Sequence, residues 1–499
     1  MKSPYFPARS VLFRKESNGV TYRVPALLYL PNSRSFLAFC EERLSPSDSQ
    51  AHLLVMRKGT FYRNYVEWED ICVLGTAFLP GHRSMNPCPV YDEFTGTLFL
   101  FFIAVLGHTS ESYQLVTGKN VTRLCFISST DGGDTWSTVT DLTMRVIGDT
   151  IKEWATFALG PGHGIQLKSG RLLIPAYAYH IECKECFGQL CQTTPHAFCF
   201  HSDTHGRSWR FGEAVPGPES VECQMVSVDE EDGTNVLYCN ARSPLGYRVQ
   251  ALSLDDGAVF QEGQLVQRLV EPRNGCHGSI VGFPAPLHLQ QRLNNHLQQP
   301  VPGSRHWTSC MANYNHTSSV ASTSIAASPP SSISSTPNTL SPHHDATPDF
   351  LTPTWVVYSH PTWTTARKDL GVFLSLFPRD PDSWRGPWVI YEGPSAYSDL
   401  AYLELSPSPG APPAVAFACL FECGTKTAYD EICFSIFTLY ELIDNLPRDV
   451  RPGNDGYKRQ QNQVPEADCR RDAQSVYQQV PRVKKRRKKS KLTEMCSVS

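Results

Sequence analysis

An all-β fold, a six-bladed β-propeller, is what this sequence predicts. One turn motif recurs along the chain, six pairs of short β-rich runs resemble one another, and helical periodicity is nearly absent. The 499-residue chain is 41% hydrophobic and 11% aromatic, enough apolar side chain for a packed core.

The motif is fullest at Ser129-Thr-Asp-Gly-Gly-Asp-Thr-Trp136. Each fixed position has a task in a tight turn between strands. The Asp131 carboxylate accepts backbone N–H groups of its own turn, Gly133 takes a positive φ, and Trp136 wedges an apolar ring beneath. Weaker copies follow. Residues 202–209 keep Ser202, Gly206 and Trp209 but carry Thr204 in place of the Asp; residues 253–260 keep Ser253, Asp255 and Gly257 but end in Phe260. Such repetition points to radially arranged antiparallel sheets.

The paired runs are 24–29 with 35–40, 87–90 with 97–102, 164–167 with 171–176, 223–226 with 235–240, 278–282 with 354–359, and 398–402 with 414–419. Short polar or Gly/Pro-containing connections make each pair a hairpin, except the fifth, whose connection is long. Only residues 439–446 read as a brief helix. Residues 289–352 begin Gln/Asn-rich and become a Ser/Thr/Pro tract, with too little apolar surface to offset the entropy of ordering it. The propeller is therefore expected over 1–288 and 353–448, with a disordered insertion at 289–352 and a disordered tail at 449–499.

Residues 1–20 hold no apolar segment of the signal-peptide kind, and the longest apolar run, 98–106, is too short to cross a bilayer. The 17 cysteines are scattered and odd in number, so free thiols in a reducing compartment are expected. Cys183, Cys186, Cys191, His196 and Cys199 lie close in sequence, but their spacing matches no standard zinc pattern, so ordinary thiols are expected and no metal.

In an antiparallel hairpin the start of the first strand and the end of the second share one edge, which in a propeller faces the mouth of the central channel. Before first strands come Arg23, Asn86, Glu222 and Tyr397; after second strands come Arg43, Asp48, Glu111, Tyr177, Tyr179, Arg242 and Arg367. A single arginine at a strand end is ordinarily just solvated. Three at equivalent positions repel one another unless an anion sits between them, and a carboxylate suits their planar forks. If Glu222 and Tyr397 are neighbours, the carboxylate can take the phenolic proton and leave a nucleophilic oxygen. Asp48, in a Ser/Pro loop, reads equally as a turn residue.

Tyr22-Arg-Val-Pro25 resembles the arginine motif that opens the sialidase (neuraminidase) domain, and residues 129–136 look like its Asp-box. Met85-Asn-Pro-Cys-Pro89, Glu222-Cys-Gln224, Asn240-Ala-Arg242 and Ala396-Tyr-Ser-Asp-Leu400 extend the resemblance to the animal cytosolic and membrane-associated exo-α-sialidases over residues 10–445. Residues 42–46, 240–245 and 388–393 look most like the fourth isoform group of that family. The resemblance implies hydrolysis of terminal sialic acid from sialylated glycoconjugates, with retention and without a metal or organic cofactor. It implies Tyr397 as nucleophile, Glu222 as its base and Asp48 as general acid and then base. Arg23, Arg242 and Arg367 would hold the sugar's carboxylate, and Arg43, Asn86, Glu111, Tyr177 and Tyr179 would line the pocket. A catalytically silent propeller that binds sialylated glycans as a lectin is the alternative; it would need only the arginines.

The net charge of −3 conceals a basic run at 482–491, densest from Lys484 to Lys489. Such a run reads as a nuclear import signal, an anionic membrane or nucleic-acid contact, or a solubilising tail. Nuclear localisation through an import receptor is expected; the alternatives are a membrane-associated intracellular compartment (lysosome, endoplasmic reticulum or mitochondrion), held by peripheral membrane contact, or the cytoplasm, and no specific nucleic-acid binding is expected. Cys496 followed by Ser-Val-Ser is a poor prenylation box because Ser497 is not aliphatic.

Overall fold

The computed structural model describes residues 5–62, 65–183, 191–286, 289, 352–405 and 414–447. Of the insertion expected to be disordered, Leu289 is instead buried in the core of the adjoining sheet and Thr352 is also described; the expected disorder of its remaining residues and of the tail falls outside the described residues.

Strands dominate, and all six expected hairpins form as antiparallel pairs. Thr21–Leu30, Ser35–Arg43, Ala51–Tyr62 and Tyr65–Trp68 meander into a first sheet, joined at its edge by Cys72–Val73. The next three sheets run from His82–Asp92 to Thr140–Asp141, from Trp154–Leu159 to Arg210–Phe211, and from Cys223–Asp229 to Gln264–Val270. The remaining strands are hydrogen-bonded into one seven-stranded sheet, so five sheets are found where six separate ones were expected. The join is the 21-residue strand Arg385–Leu405. Its first half pairs with Lys368–Ser375 and its second with Ala414–Cys423. Strand Arg9–Arg14 pairs with Glu431–Thr438 and so returns the N-terminal segment to the last sheet.

Each sheet packs its apolar face on the next. Phe39 and Leu54 of the first meet Leu100 and Phe102 of the second; Phe101 meets Ile174 and Phe198 of the third; Leu173 and Cys199 meet Met225 and Leu237 of the fourth. Val226 and Tyr238 then meet Val356 and Tyr358 of the seven-stranded sheet. Finally Leu420 and Phe434 return to Phe36 and Ala38 of the first, which closes the circle. The arrangement is propeller-like, and each fully buried aromatic or aliphatic side chain contributes roughly 1.5–3 kcal/mol.

The recurrent turns lock onto these interfaces. Ser129 Oγ donates to Asp131 and accepts from Gly133 N–H, Asp131 accepts from Thr135 N–H, and Trp136 Nε1 reaches the Gly133 carbonyl at 3.1 Å. In the second copy the Thr204 hydroxyl does the work of the missing carboxylate, accepting from Ser208 N–H at 2.8 Å. Gly206 has φ +78° there, and a Cβ would stand 2.2 Å from the Phe99 ring.

Leu439–Asn445 forms the expected helix, with Thr438 and Glu441 making a reciprocal capping box. Helix Glu111–Thr117 was not expected; at seven residues it is too short to show a period, although Ser110 caps its start and Gly118 at φ 62° its end. A second correction concerns the thiols. Cys183 is disulfide-bonded, while the core cysteines, among them Cys40, Cys88, Cys125 and Cys239, carry free thiols. With Cys186 and Cys191 close by in the sequence, Cys183 has neighbours that a scattered core thiol lacks.

Candidate active site

Backbone irregularity marks the place where the predicted residues converge. The register of three hairpins slips at the same end: between Arg23 and Ala26, between Met85 and Cys88, and between Ser395 and Ser398. Bulges of this kind re-aim side chains. Within two of these slips Val24 and Asn86 hold φ of 60° and 55°. A β-branched residue is an outlier in that region, so strain is concentrated at the site.

The Tyr397 hydroxyl donates to Glu222 Oε1. Arg242 straddles the pair, donating from one nitrogen to Glu222 Oε2 at 2.7 Å and to the Tyr397 oxygen at 3.1 Å. The other two arginines meet Tyr397 through its ring: Arg23 lies 5.6 Å and Arg367 5.3 Å from the centroid. All three expected arginines therefore touch one side chain. Burial and the Glu222 charge push the Tyr397 phenol well above its ordinary range, while Arg242 and Arg367 pull it down. The group rests neutral, with a base in hydrogen-bond contact.

The charges around it do not cancel. Arg23 pairs with Glu422 at 2.7 Å and Arg242 with Glu222 at 2.7 Å. Arg367 donates to the Gly275 carbonyl and the Tyr429 hydroxyl, and among the described residues no carboxylate pairs with it. One guanidinium in three lacks a counter-anion, which suits the cluster to a ligand with one carboxylate.

Asp48 sits in the 3₁₀ turn Asp48–Gln50 and takes a 2.5 Å ion pair from Arg43. Its side chain is 75% exposed, that of Arg43 only 2%. The surrounding protein pushes the Asp48 carboxyl up, but Arg43, Arg23 and Arg367 outweigh it and hold it below the usual range. Arg43 also pairs with the buried Glu41 at 2.6 Å, whose other oxygen accepts the Asn86 N–H at 2.7 Å. Asn86 Nδ2 reaches the Leu159 carbonyl at 3.3 Å. Tyr177 and Tyr179 lie side by side, ring centroids 6.1 Å apart. Glu111 opens its helix beside them, reachable by solvent yet hemmed in by protein. The lost hydration, then the charges of Glu222 and Asp48, push it up to about 7.

Glu422, Tyr429 and Glu41 were missed. Glu422 binds Arg23 and also accepts the backbone N–H groups of Val24 and Tyr397. The hairpin-edge rule points to it, because it follows the second run of the last pair. Tyr429 stacks under Arg23 at 3.8 Å from a turn that no motif marks. Glu41 looked like one of two adjacent acids on a strand, and only the fold shows that its carboxylate is buried.

A propeller-like scaffold that sets an anion-hungry arginine cluster around a base-paired tyrosine defines a carboxylate-binding enzyme site. The chain belongs to the sialidase family. Residues 34–405 match the BNR repeat-like domain family. The chain is 49% identical over 472 residues to sialidase-4 of Mus musculus, covering 88% of this chain and 95% of that protein. Identity to sialidase-4 of Homo sapiens is 48% over 482 residues, covering 92% and 98%, against 42% over 447 residues for human sialidase-3, covering 89% and 96%. It thus most resembles the fourth animal isoform. Among solved structures, Hadza microbial sialidase Hz136 superposes with a TM-score of 0.59 at 19% identity, over 87% of this chain and 69% of that one.

Proposed function

We propose that this chain is an exo-α-sialidase that releases terminal sialic acid from sialylated glycoconjugates with retention of configuration. The observation that carries the reading is the Tyr397–Glu222 pair set among three arginines, one of them without a counter-anion. Sialic acid bears a carboxylate on its anomeric carbon. A charged Asp or Glu nucleophile would be repelled by it, whereas a neutral phenol approaches freely; tyrosine is the nucleophile for which sialidases depart from the two-carboxylate rule.

In this mechanism Arg23, Arg242 and Arg367 hold the substrate carboxylate as the ring flattens toward an oxocarbenium ion. The Tyr397 oxygen attacks the anomeric carbon while its proton passes to Glu222. Asp48 gives a proton to the departing glycosidic oxygen, then removes one from the water that frees Tyr397. Asp48 must be protonated for the first step. Acid pH favours that state, as does loss of its hydration beneath a bound glycan. Arg43, Asn86, Glu111, Tyr177 and Tyr179 line the rest of the pocket.

The lectin alternative has no use for the Tyr397–Glu222 contact. Incubation of the purified protein with a fluorogenic aryl α-sialoside between about pH 4 and 7 separates the two. Release of the fluorophore supports the enzyme; binding without release at any pH supports the lectin.

The six-bladed count is part of the same reading. It divides the seven-stranded sheet within Arg385–Leu405, at the slip between Ser395 and Ser398, where the strand changes partners. The basic run 482–491 supports nuclear import, with electrostatic membrane contact as the rival. Imaging of the tagged full-length chain beside one with Lys484, Lys485, Arg486 and Arg487 changed to alanine tests this. Identical non-nuclear distributions would refute it.

A further inference from the structure

One side chain ties the turn that carries Asp48 to the loop that carries Glu111. His108 Nδ1 lies 2.9 Å from the carbonyl oxygen of Ser49, the residue after Asp48. A carbonyl oxygen only accepts, so Nδ1 carries the hydrogen and donates. His108 is in turn held from behind. Arg83, 6% exposed, donates to the carbonyls of Gly107 and Thr109, the residues flanking it, at 2.7 and 2.6 Å. Gly107, at φ 53°, donates to the Gly81 carbonyl at 2.9 Å. The loop therefore has a buried cationic anchor.

Beyond the Arg43 guanidinium, which pairs with the Asp48 carboxylate and donates to the Pro46 carbonyl at 3.2 Å, the Asp48 turn has little support of its own. None of its residues is buried, and its first residue receives no side-chain cap. Its backbone bonds, Gln50 to Ser47 and Leu44 to Gln50, are local, and the Ser47 and Ser49 hydroxyls engage each other. Among the described residues, His108 supplies the one hydrogen bond to this backbone from outside residues 43–51. A turn of serines on the surface frays readily without such a tie. Proton transfer, however, requires the carboxyl within hydrogen-bond reach of the leaving oxygen.

We propose that His108 is a positioning residue for the acid step, holding the Asp48 turn at the distance from which it protonates the leaving group. This rests on the reading of Asp48 as general acid. In that step the Asp48 hydrogen passes to the glycosidic oxygen, the C–O bond breaks with its electron pair going to that oxygen, and the Tyr397 oxygen bonds to the anomeric carbon as its proton passes to Glu222. A sugar alkoxide is a poor leaving group and depends on the proton. An aryl oxide leaves with little help.

The test compares the two leaving groups in the full-length chain. His108→Leu should lower kcat/KM, which reports only the step that expels the leaving group, by roughly 10-fold or more on an oligosaccharide α-sialoside, yet by less than about 2-fold on an aryl α-sialoside. His108→Asn, whose amide nitrogen is bonded to Cγ as Nδ1 is, should recover most of the loss. A merely structural role would depress both substrates alike. Equal losses, no loss, or an Asn variant as poor as the Leu variant would each overturn the proposal. Wild-type protein that releases sialic acid from neither substrate would overturn the sialidase reading itself, and this inference with it.

Discussion

Tyr397 and Glu222 stand 175 positions apart in the chain, yet the phenol of one donates its hydrogen to the carboxylate of the other. Two sheets must be in place before this pair exists, and Arg242 bridges it from the Glu222 sheet. Tyr397→Phe would delete the oxygen while keeping the ring against Arg23 and Arg367. Turnover should fall by at least ~1,000-fold with substrate affinity largely preserved. Single-turnover kinetics with an equilibrium binding measurement check this; unchanged turnover would refute the nucleophile.

The Arg43–Asp48 ion pair sets a pH dependence. Asp48 is held below its ordinary range, so its ionised form persists to lower pH and the acid-competent form fades as pH rises through that depressed value. Arg43→Gln removes the largest downward influence and leaves only Arg23 and Arg367 to oppose the upward push of the surrounding protein. The alkaline limb of kcat/KM should therefore move to higher pH. For stability the sign is opposite: the pairing contributes above the unfolded carboxyl range and is lost as pH falls through the folded value. The variant should lose more Tm at neutral pH than at pH 3.

Glu111 titrates near 7, so it is protonated and neutral through the acid range. Glu111→Gln imitates that state. The ratio of wild-type to variant kcat/KM should lie close to one at pH 5 and depart from it above about pH 7. A ratio that does not vary with pH would contradict the assignment.

Much of the scaffold is legible in the sequence because strand pairing has a period of two and the turn chemistry recurs locally. Ser129, Gly133 and Trp136 specify their turn without reference to anything distant. Arg23, Glu222, Arg242, Arg367 and Tyr397 could be grouped because each lies at the same end of a hairpin. Legibility stops where the third dimension decides. The slips at Val24 and Asn86, which aim these side chains, leave no pattern in apolar spacing. Nothing in the neighbourhood of Glu41 tells that its charge is buried against Arg43. The join in Arg385–Leu405 is likewise invisible, because a strand that changes partners midway reads like any continuous one.

The insertion provides a test of the domain map. Strands Ser279–Pro284 and Thr354–Pro361 pair along their length, Pro284 opposite Thr354, and Ala285 N–H reaches the Pro353 carbonyl at 2.8 Å. The ends of the segment are thus already together, and Leu289 packs into the adjoining core. Replacing residues 291–350 with a short Gly/Ser linker should leave the melting transition and the hydrolysis of an aryl α-sialoside intact, since a shorter connection costs less entropy to close. Aggregation or loss of the transition would show that the segment is structural.

The central claim is that the Tyr397 oxygen forms a bond to the anomeric carbon of sialic acid. A sialosyl fluoride with a second fluorine on the neighbouring ring carbon retains a good leaving group but destabilises the oxocarbenium-like transition state for hydrolysis of the intermediate, so the glycosylated enzyme accumulates. After brief incubation and proteolysis, the peptide containing Tyr397 should carry the added mass of one fluorosialosyl group, localised to Tyr397 by fragmentation and absent from Tyr397→Phe. An adduct on Glu222 or Asp48 instead, or fluoride release with no adduct on any peptide under conditions where turnover is slowed, would contradict it.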